Sequence, residues 1–202
     1  MVVATPAIAE PVTIAALGDS LTQGYGLVPD QGFVPRLEGW LREQGADVNL
    51  INAGVSGDTT SGGLARVDWT LTPDVDGLIV ALGGNDLLRG IDPALSRSNL
   101  DGILAAAQAR DLPVLLVGLE APGNYGADFK AAFEAMFPEL SAQYDTLLYP
   151  DFLAPLTADT DRNGALRLYM QGDGIHPNAA GVERIVEGIG PSVLALIERA
   201  ED

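Results

Sequence analysis

His176 is the only histidine among the 202 residues, and it stands in "QGDGIHPNAAG", three residues after Asp173. Pro177 keeps the residue before it out of the α region and suits the first position of a helix, so His176 is expected at the N-terminal edge of the last helix. Gly172 and Gly174 flank Asp173 and permit a tight turn that returns its carboxylate to the imidazole Nδ1. That contact would fix the tautomer and leave Nε2 free as a base. A lone histidine is more often structural than catalytic, and the adjacent aspartate is what makes this one a candidate.

A base needs a group to deprotonate. The stretch "IAALGDSLTQGYG", Ile14–Gly26, runs from an apolar segment into a turn that holds Asp19 and Ser20. Ser20 is expected to open one short helical turn ended by Gly24 and Gly26, where free backbone N–H groups favour developing negative charge. Beside a base, a serine hydroxyl becomes an acyl-transfer nucleophile. Acyl transfer also needs donors aimed at the tetrahedral oxyanion. Gly57 in "SGDTTSGG" offers an unobstructed N–H, and Asn85 in "GGND" a side-chain amide. Plainer readings exist for each: Ser20 as an N-cap, Gly57 as a turn glycine, Asn85 and Asp86 as turn formers capping the next helix. Four such features at the ends of separate elements favour the catalytic reading. Leu21, Leu87, Leu88 and Tyr125 would line an apolar acyl or aryl pocket or serve only as packing, and Asp19 reads as a turn or capping residue.

Elements must bring these residues together. Apolar runs at Val12–Leu17, Val48–Ala53, Gly77–Leu82, Pro113–Leu119 and Thr146–Tyr149 are continuous rather than alternating, as in strands buried on both faces. Helical patterns lie between and after them, at Phe33–Gln44, Thr60–Thr70, Pro93–Arg110, Ala127–Tyr144 and Asn178–Arg199. The alternation predicts right-handed crossovers and a mostly parallel sheet covered on both faces, an α/β three-layer domain. Ligands then bind outside the carboxyl ends of the strands, where the Gly-rich loops fall. Pro150–Met170 shows no clear period and is expected to be a long irregular loop, either a binding wall or lid or a plain excursion that packs Phe152 and Leu153.

The length and 47% hydrophobic content suit one domain over 11–202. Eleven Lys plus Arg against 28 Asp plus Glu give a net charge of −17, which repels nucleic acid and anionic membrane surfaces. With no cysteine, any nucleophile carries oxygen or nitrogen. No run approaches the roughly 18 apolar residues of a membrane span. In residues 1–10, "MVVATPAIAE", Ala7-Ile8-Ala9 has the small-x-small form of a signal peptidase site without a basic n-region, which reads as a trimmed secretory leader or a flexible apolar tail. The first reading places the protein in the periplasm or outside the cell, the second in the cytoplasm.

"LGDSLTQGYG", "NAGVSGDTTSGGLAR", "LGGNDLLRG" and "DGIHPNAAG" stand in this order, and together they resemble the four blocks of the GDSL, or SGNH, hydrolase superfamily. The resemblance runs from about Val12 to the C-terminus and is strongest to the bacterial thioesterase, arylesterase and lysophospholipase group. It implies a flavodoxin-like five-stranded parallel sheet between helices. It implies Ser20 as nucleophile and oxyanion donor, Gly57 and Asn85 as the other donors, His176 as general base and then acid, and Asp173 as its orienter. The implied reaction is hydrolysis of a small-molecule ester or thioester through an acyl-serine, without metal or cofactor. A carbohydrate acetyl esterase of the same superfamily is an alternative. A phosphate- or nucleotide-binding flavodoxin-like module is disfavoured by Asp19 in the first turn and by the missing GxxxxGK[ST] lysine. A metallohydrolase built on Asp19, Asp173 and His176 lacks a second ligand cluster.

Overall fold

The computed structural model describes residues 10–201. The expected leader remnant lies, apart from Glu10, outside the described residues. Five parallel strands, β1 (Val12–Gly18), β2 (Val48–Gly54), β3 (Gly77–Ala81), β4 (Val114–Val117) and β5 (Leu147–Tyr149), form one sheet in the order β2-β1-β3-β4-β5. The helices are α1 (Ser20–Gln23), α2 (Phe33–Glu43), α3 (Thr60–Thr70), α4 (Gly84–Arg89), α5 (Pro93–Gln108), α6 (Ala127–Tyr144), α7 (Arg162–Tyr169) and α8 (Ala179–Glu201).

The period of two along the central strands sorts side chains into two cores. Ile14, Ala16, Ile79, Leu115 and Val117 point to the face covered by α2 and α8, where they meet Leu37, Leu41, Ile189 and Val193. Ala15, Leu17, Leu78, Val80, Val114 and Leu116 point to the opposite face, against α3, α5 and α6. Continuous apolar runs are thus what a sheet with two covered faces requires. Each fully buried Leu, Ile or Phe contributes roughly 1.5–3 kcal/mol.

Burial on both faces fails for β2 and β5, which are edge strands with mostly half-exposed residues. Pro150–Met170 also differs from the irregular loop expected: Ala154–Thr157 forms a 3-10 turn and Arg162–Tyr169 is α7. Asp161 caps α7 by accepting from the Gly164 N–H at 2.7 Å, and Phe152, Leu156 and Ala165 pack into the first core. Phe152 meets Phe33 edge to face, with ring centroids 5.0 Å apart.

The chain leaves β1 for one face of the sheet and β3 for the other, so the crevice at the carboxyl ends of these adjacent strands is the topological switch point. Ser20 follows β1 and Asn85 follows β3.

Candidate active site

Asp19 is the N-cap of α1, its carboxylate accepting the Leu21 N–H at 3.0 Å, and Gly24 ends the turn in the left-handed conformation at φ 87°. This presents Ser20 as the first residue of a four-residue helix directly beyond the sheet. His176 reaches it from the other end of the sequence, with Nε2 2.9 Å from Ser20 Oγ. On the far side of the imidazole, Nδ1 lies 2.6 Å from Asp173 Oδ2. With the Nδ1 proton donated to that carboxylate, Nε2 accepts the serine hydroxyl.

Asp173 Oδ1 accepts the backbone N–H groups of Ile175 and His176 at 2.9 and 3.1 Å. The hydrogen bond from His176, followed by those two amides, holds the Asp173 carboxyl down at about 2, so it is charged throughout the neutral range. The loop itself is pinned from below. The Gln171 N–H donates to the His176 carbonyl, and Asn178 ties the start of α8 back to Leu168 and Met170 through Nδ2.

Gly57 occupies the loop between β2 and α3 at φ 84°, a left-handed conformation that glycine adopts without steric cost. Its carbonyl accepts Arg89 Nη2 at 2.8 Å. Arg66 holds this loop to the sheet, donating to the Ala53 and Gly18 carbonyls at 2.6 and 2.8 Å and to Asp58 at 2.6 Å. Asp86 is fully buried and does not cap the following helix as its simpler reading would have it. Its carboxylate instead accepts the Thr60 N–H, the Thr60 hydroxyl and the Ser96 hydroxyl at 2.8, 2.5 and 2.9 Å, which locks α4 to α3 and α5. Residue order alone points to neither role: Arg66 carries no motif signal of its own, and Asp86 reads there only as a turn former. The one trace is a charged residue beside the small residues of "SGGLAR" and "GGND", within α3 and α4.

Asn85 Nδ2 donates to Asp19 Oδ2 at 3.4 Å, and an amide nitrogen with two hydrogens keeps one for a ligand. Asp19 is 2% exposed, and desolvation raises its carboxyl to about 6, partly offset by the Leu21 N–H and the Asn85 amide. Folding therefore takes up a proton at Asp19 between about pH 4 and 6. That contribution favours the folded state at low pH and is lost as pH rises through about 6, a swing of about 3 kcal/mol. Asp19→Asn removes it. The stability gap between variant and wild type, measured by urea unfolding, is expected to move in the variant's favour by about 2–3 kcal/mol from pH 4 to 7; a constant gap would show that Asp19 does not titrate there.

The GDSL-like Lipase/Acylhydrolase family matches residues 16–184, a span that carries Ser20, Gly57, Asn85, Asp173 and His176. The chain belongs to that family. It is 38% identical over 186 residues to Esterase TesA of Pseudomonas aeruginosa, covering 92% of this chain and 89% of that protein. It is 34% identical to the thioesterase 1/protease 1/lysophospholipase L1 of Escherichia coli, covering 82% and 76%. The crystal structure of AlinE4, an SGNH-hydrolase family esterase, superposes with a TM-score of 0.75 at 43% identity, covering 94% and 98%.

The predicted apolar contacts divide. Leu21 and Leu87 are half-buried and pack against the first and second cores respectively, though Leu21 also borders the small hollow between Ser20 and His176. Leu88 and Tyr125 are exposed, and the Tyr125 hydroxyl donates to the Leu88 carbonyl at 3.2 Å. A cleft of about 330 Å³ opens beside the Asp173 loop, lined by Ala121, Pro122, Leu153, Leu166, Met170 and Gly174 among others. Two thirds of its wall is the Pro150–Met170 segment. Among the described residues no three His, Cys, Asp or Glu side chains are grouped to hold a metal ion, and no helix is long and apolar enough to cross a membrane.

Proposed function

We propose that Ser20, His176 and Asp173 are the catalytic triad of a carboxylic ester hydrolase, with the Ser20 N–H, the Gly57 N–H and Asn85 Nδ2 as its oxyanion donors. Hydrolysis of ester bonds is the chain's family chemistry, and the continuous contact from Ser20 through His176 to Asp173 is the observation that carries this mechanism. Ser20 Oγ attacks the acyl carbonyl carbon while His176 Nε2 takes its proton. The three donors receive the negative charge that develops on the carbonyl oxygen. As the tetrahedral intermediate collapses, His176 returns the proton to the leaving alcohol or thiol, and water, deprotonated by the same imidazole, then releases the acid. Asp173 stays charged and steadies the imidazolium.

The cleft beside Asp173, with Leu153, Leu156, Leu166 and Met170 as its apolar wall, suits an aryl or short- to medium-chain acyl group, and Leu21 borders the hollow at Ser20. A periplasmic or secreted location is proposed with it, on the small-x-small pattern at Ala7-Ile8-Ala9. The test is a panel of p-nitrophenyl acyl esters, aryl acetates, acyl-CoAs, lysophospholipids and an acetylated sugar, each with and without excess chelator. Aryl and medium-chain esters are expected to turn over fastest at a chelator-independent rate. Turnover confined to the acetylated sugar, or abolished by chelator, would contradict the proposal.

A further inference from the structure

We propose that Tyr25 is a positioning residue for the imidazole of His176, supporting through its ring face the imidazolium that forms when Ser20 gives up its proton. The inference rests on His176 acting as the base. The Tyr25 and His176 rings lie 4.6 Å apart between centroids, inclined by 38°. That separation is within the range in which an aromatic face attracts a cation. Asp173 holds one edge of the imidazole and Ser20 meets the other, so the remaining freedom is rotation about the ring's own bonds. The tyrosine ring restricts it from the side.

Tyr25 is itself built in. Its N–H donates to the Ser20 carbonyl at 3.1 Å, so the ring is carried by the same turn that carries the nucleophile. Gln171 Nε2 donates to the Tyr25 carbonyl at 2.8 Å and to the Pro177 carbonyl at 2.9 Å, while the Gln171 N–H donates to the His176 carbonyl at 2.8 Å. One glutamine thus staples the turn after β1 to the loop before α8. Gly26 closes the staple, because a Cβ there would overlap Gln171 Oε1. The Tyr25 ring itself is 51% exposed and buries little in either core. The clamp sets the tyrosine ring against the imidazole, inclined by 38°, at the place where charge appears during catalysis.

A neutral imidazole gains little from the ring's quadrupole, whereas an imidazolium gains more, so the contact acts on the transition state rather than on substrate binding. Tyr25→Phe keeps the face. Tyr25→Leu keeps an apolar side chain over the imidazole but removes the quadrupole. The expected result is a kcat within about twofold of wild type for Tyr25→Phe, and roughly three- to tenfold lower for Tyr25→Leu with KM nearly unchanged.

Because His176 is the only histidine, its C2–H proton gives a single imidazole signal in NMR spectra. The ring current of an aromatic at residue 25 should displace that signal in wild type and in Tyr25→Phe, and the displacement should vanish in Tyr25→Leu. A loss of kcat in Tyr25→Leu together with the lost displacement supports the proposal. Equal kcat for the Phe and Leu variants would overturn it, as would a C2–H signal that ignores the substitution. His176→Ala, assayed alongside, separates the two levels: if it retains full activity the base assignment fails, and if it is inactive while Tyr25→Leu is unimpaired only the role of Tyr25 falls.

Discussion

Ser20→Ala is expected to lower kcat for a p-nitrophenyl ester by about 10⁵ to 10⁶, and His176→Ala by a similar factor. The two losses should not add. On the proposed mechanism the hydroxyl acts as a nucleophile only while Nε2, 2.9 Å away, accepts its proton, and the imidazole has nothing to deprotonate once the hydroxyl is gone. The double variant should therefore be about as active as either single one, each retaining the residual catalysis of the oxyanion donors. Steady-state kinetics of the three variants checks this, and a double variant as weak as the product of the single losses would mean that Ser20 and His176 act on separate steps. Both side chains sit at the edge of a solvent-facing crevice rather than in either core, so stability should change little.

Asn85→Ala is expected to lower kcat by about 10² to 10³ with little change in KM, because its amide would be called on only when the carbonyl oxygen carries charge. The amide has one hydrogen on Asp19 Oδ2, which fixes the direction of the other. Removing it also leaves the buried Asp19 carboxyl without one of the donors that oppose its desolvation. A second, smaller signature follows: in Asn85→Ala the Asp19 titration should move further upward. Asn85→Asp tests the sign of the charge requirement, since a carboxylate in that place repels an oxyanion and should be no better than alanine. Turnover of Asn85→Ala within a few-fold of wild type would remove the residue from the mechanism.

Much of this arrangement was legible in the residue order. α3 and α6 begin and end where their periodicity places them, and the turn opened by Ser20 and ended by Gly24 forms as the glycines imply. The Asp173–His176 contact followed from two glycines and a proline within one short stretch. What escaped was decided by tertiary contact. α4 is six residues long and α7 eight, too short to show a period, and α7 depends on its Asp161 cap and on burying Ala165 beneath α8. β2 and β5 read as fully buried because apolar content alone does not tell an edge strand from a central one. Asp86 looked like a capping residue because its neighbours are glycine and asparagine, while its real partners, Thr60 and Ser96, lie in other helices. Tyr25 gave no signal at all, since the Gln171 carboxamide that braces it is 146 positions away.

The most direct test of the account is covalent capture of the nucleophile. Incubation with a p-nitrophenyl alkylphosphonate should release one equivalent of nitrophenol, abolish esterase activity and add a single phosphonyl group that peptide mass spectrometry maps to Ser20. Ser20→Ala should remain unlabelled, and His176→Ala should label far more slowly. A phosphonyl group found on any other residue, or full labelling of Ser20→Ala, would contradict the assignment of Ser20 as the acyl acceptor.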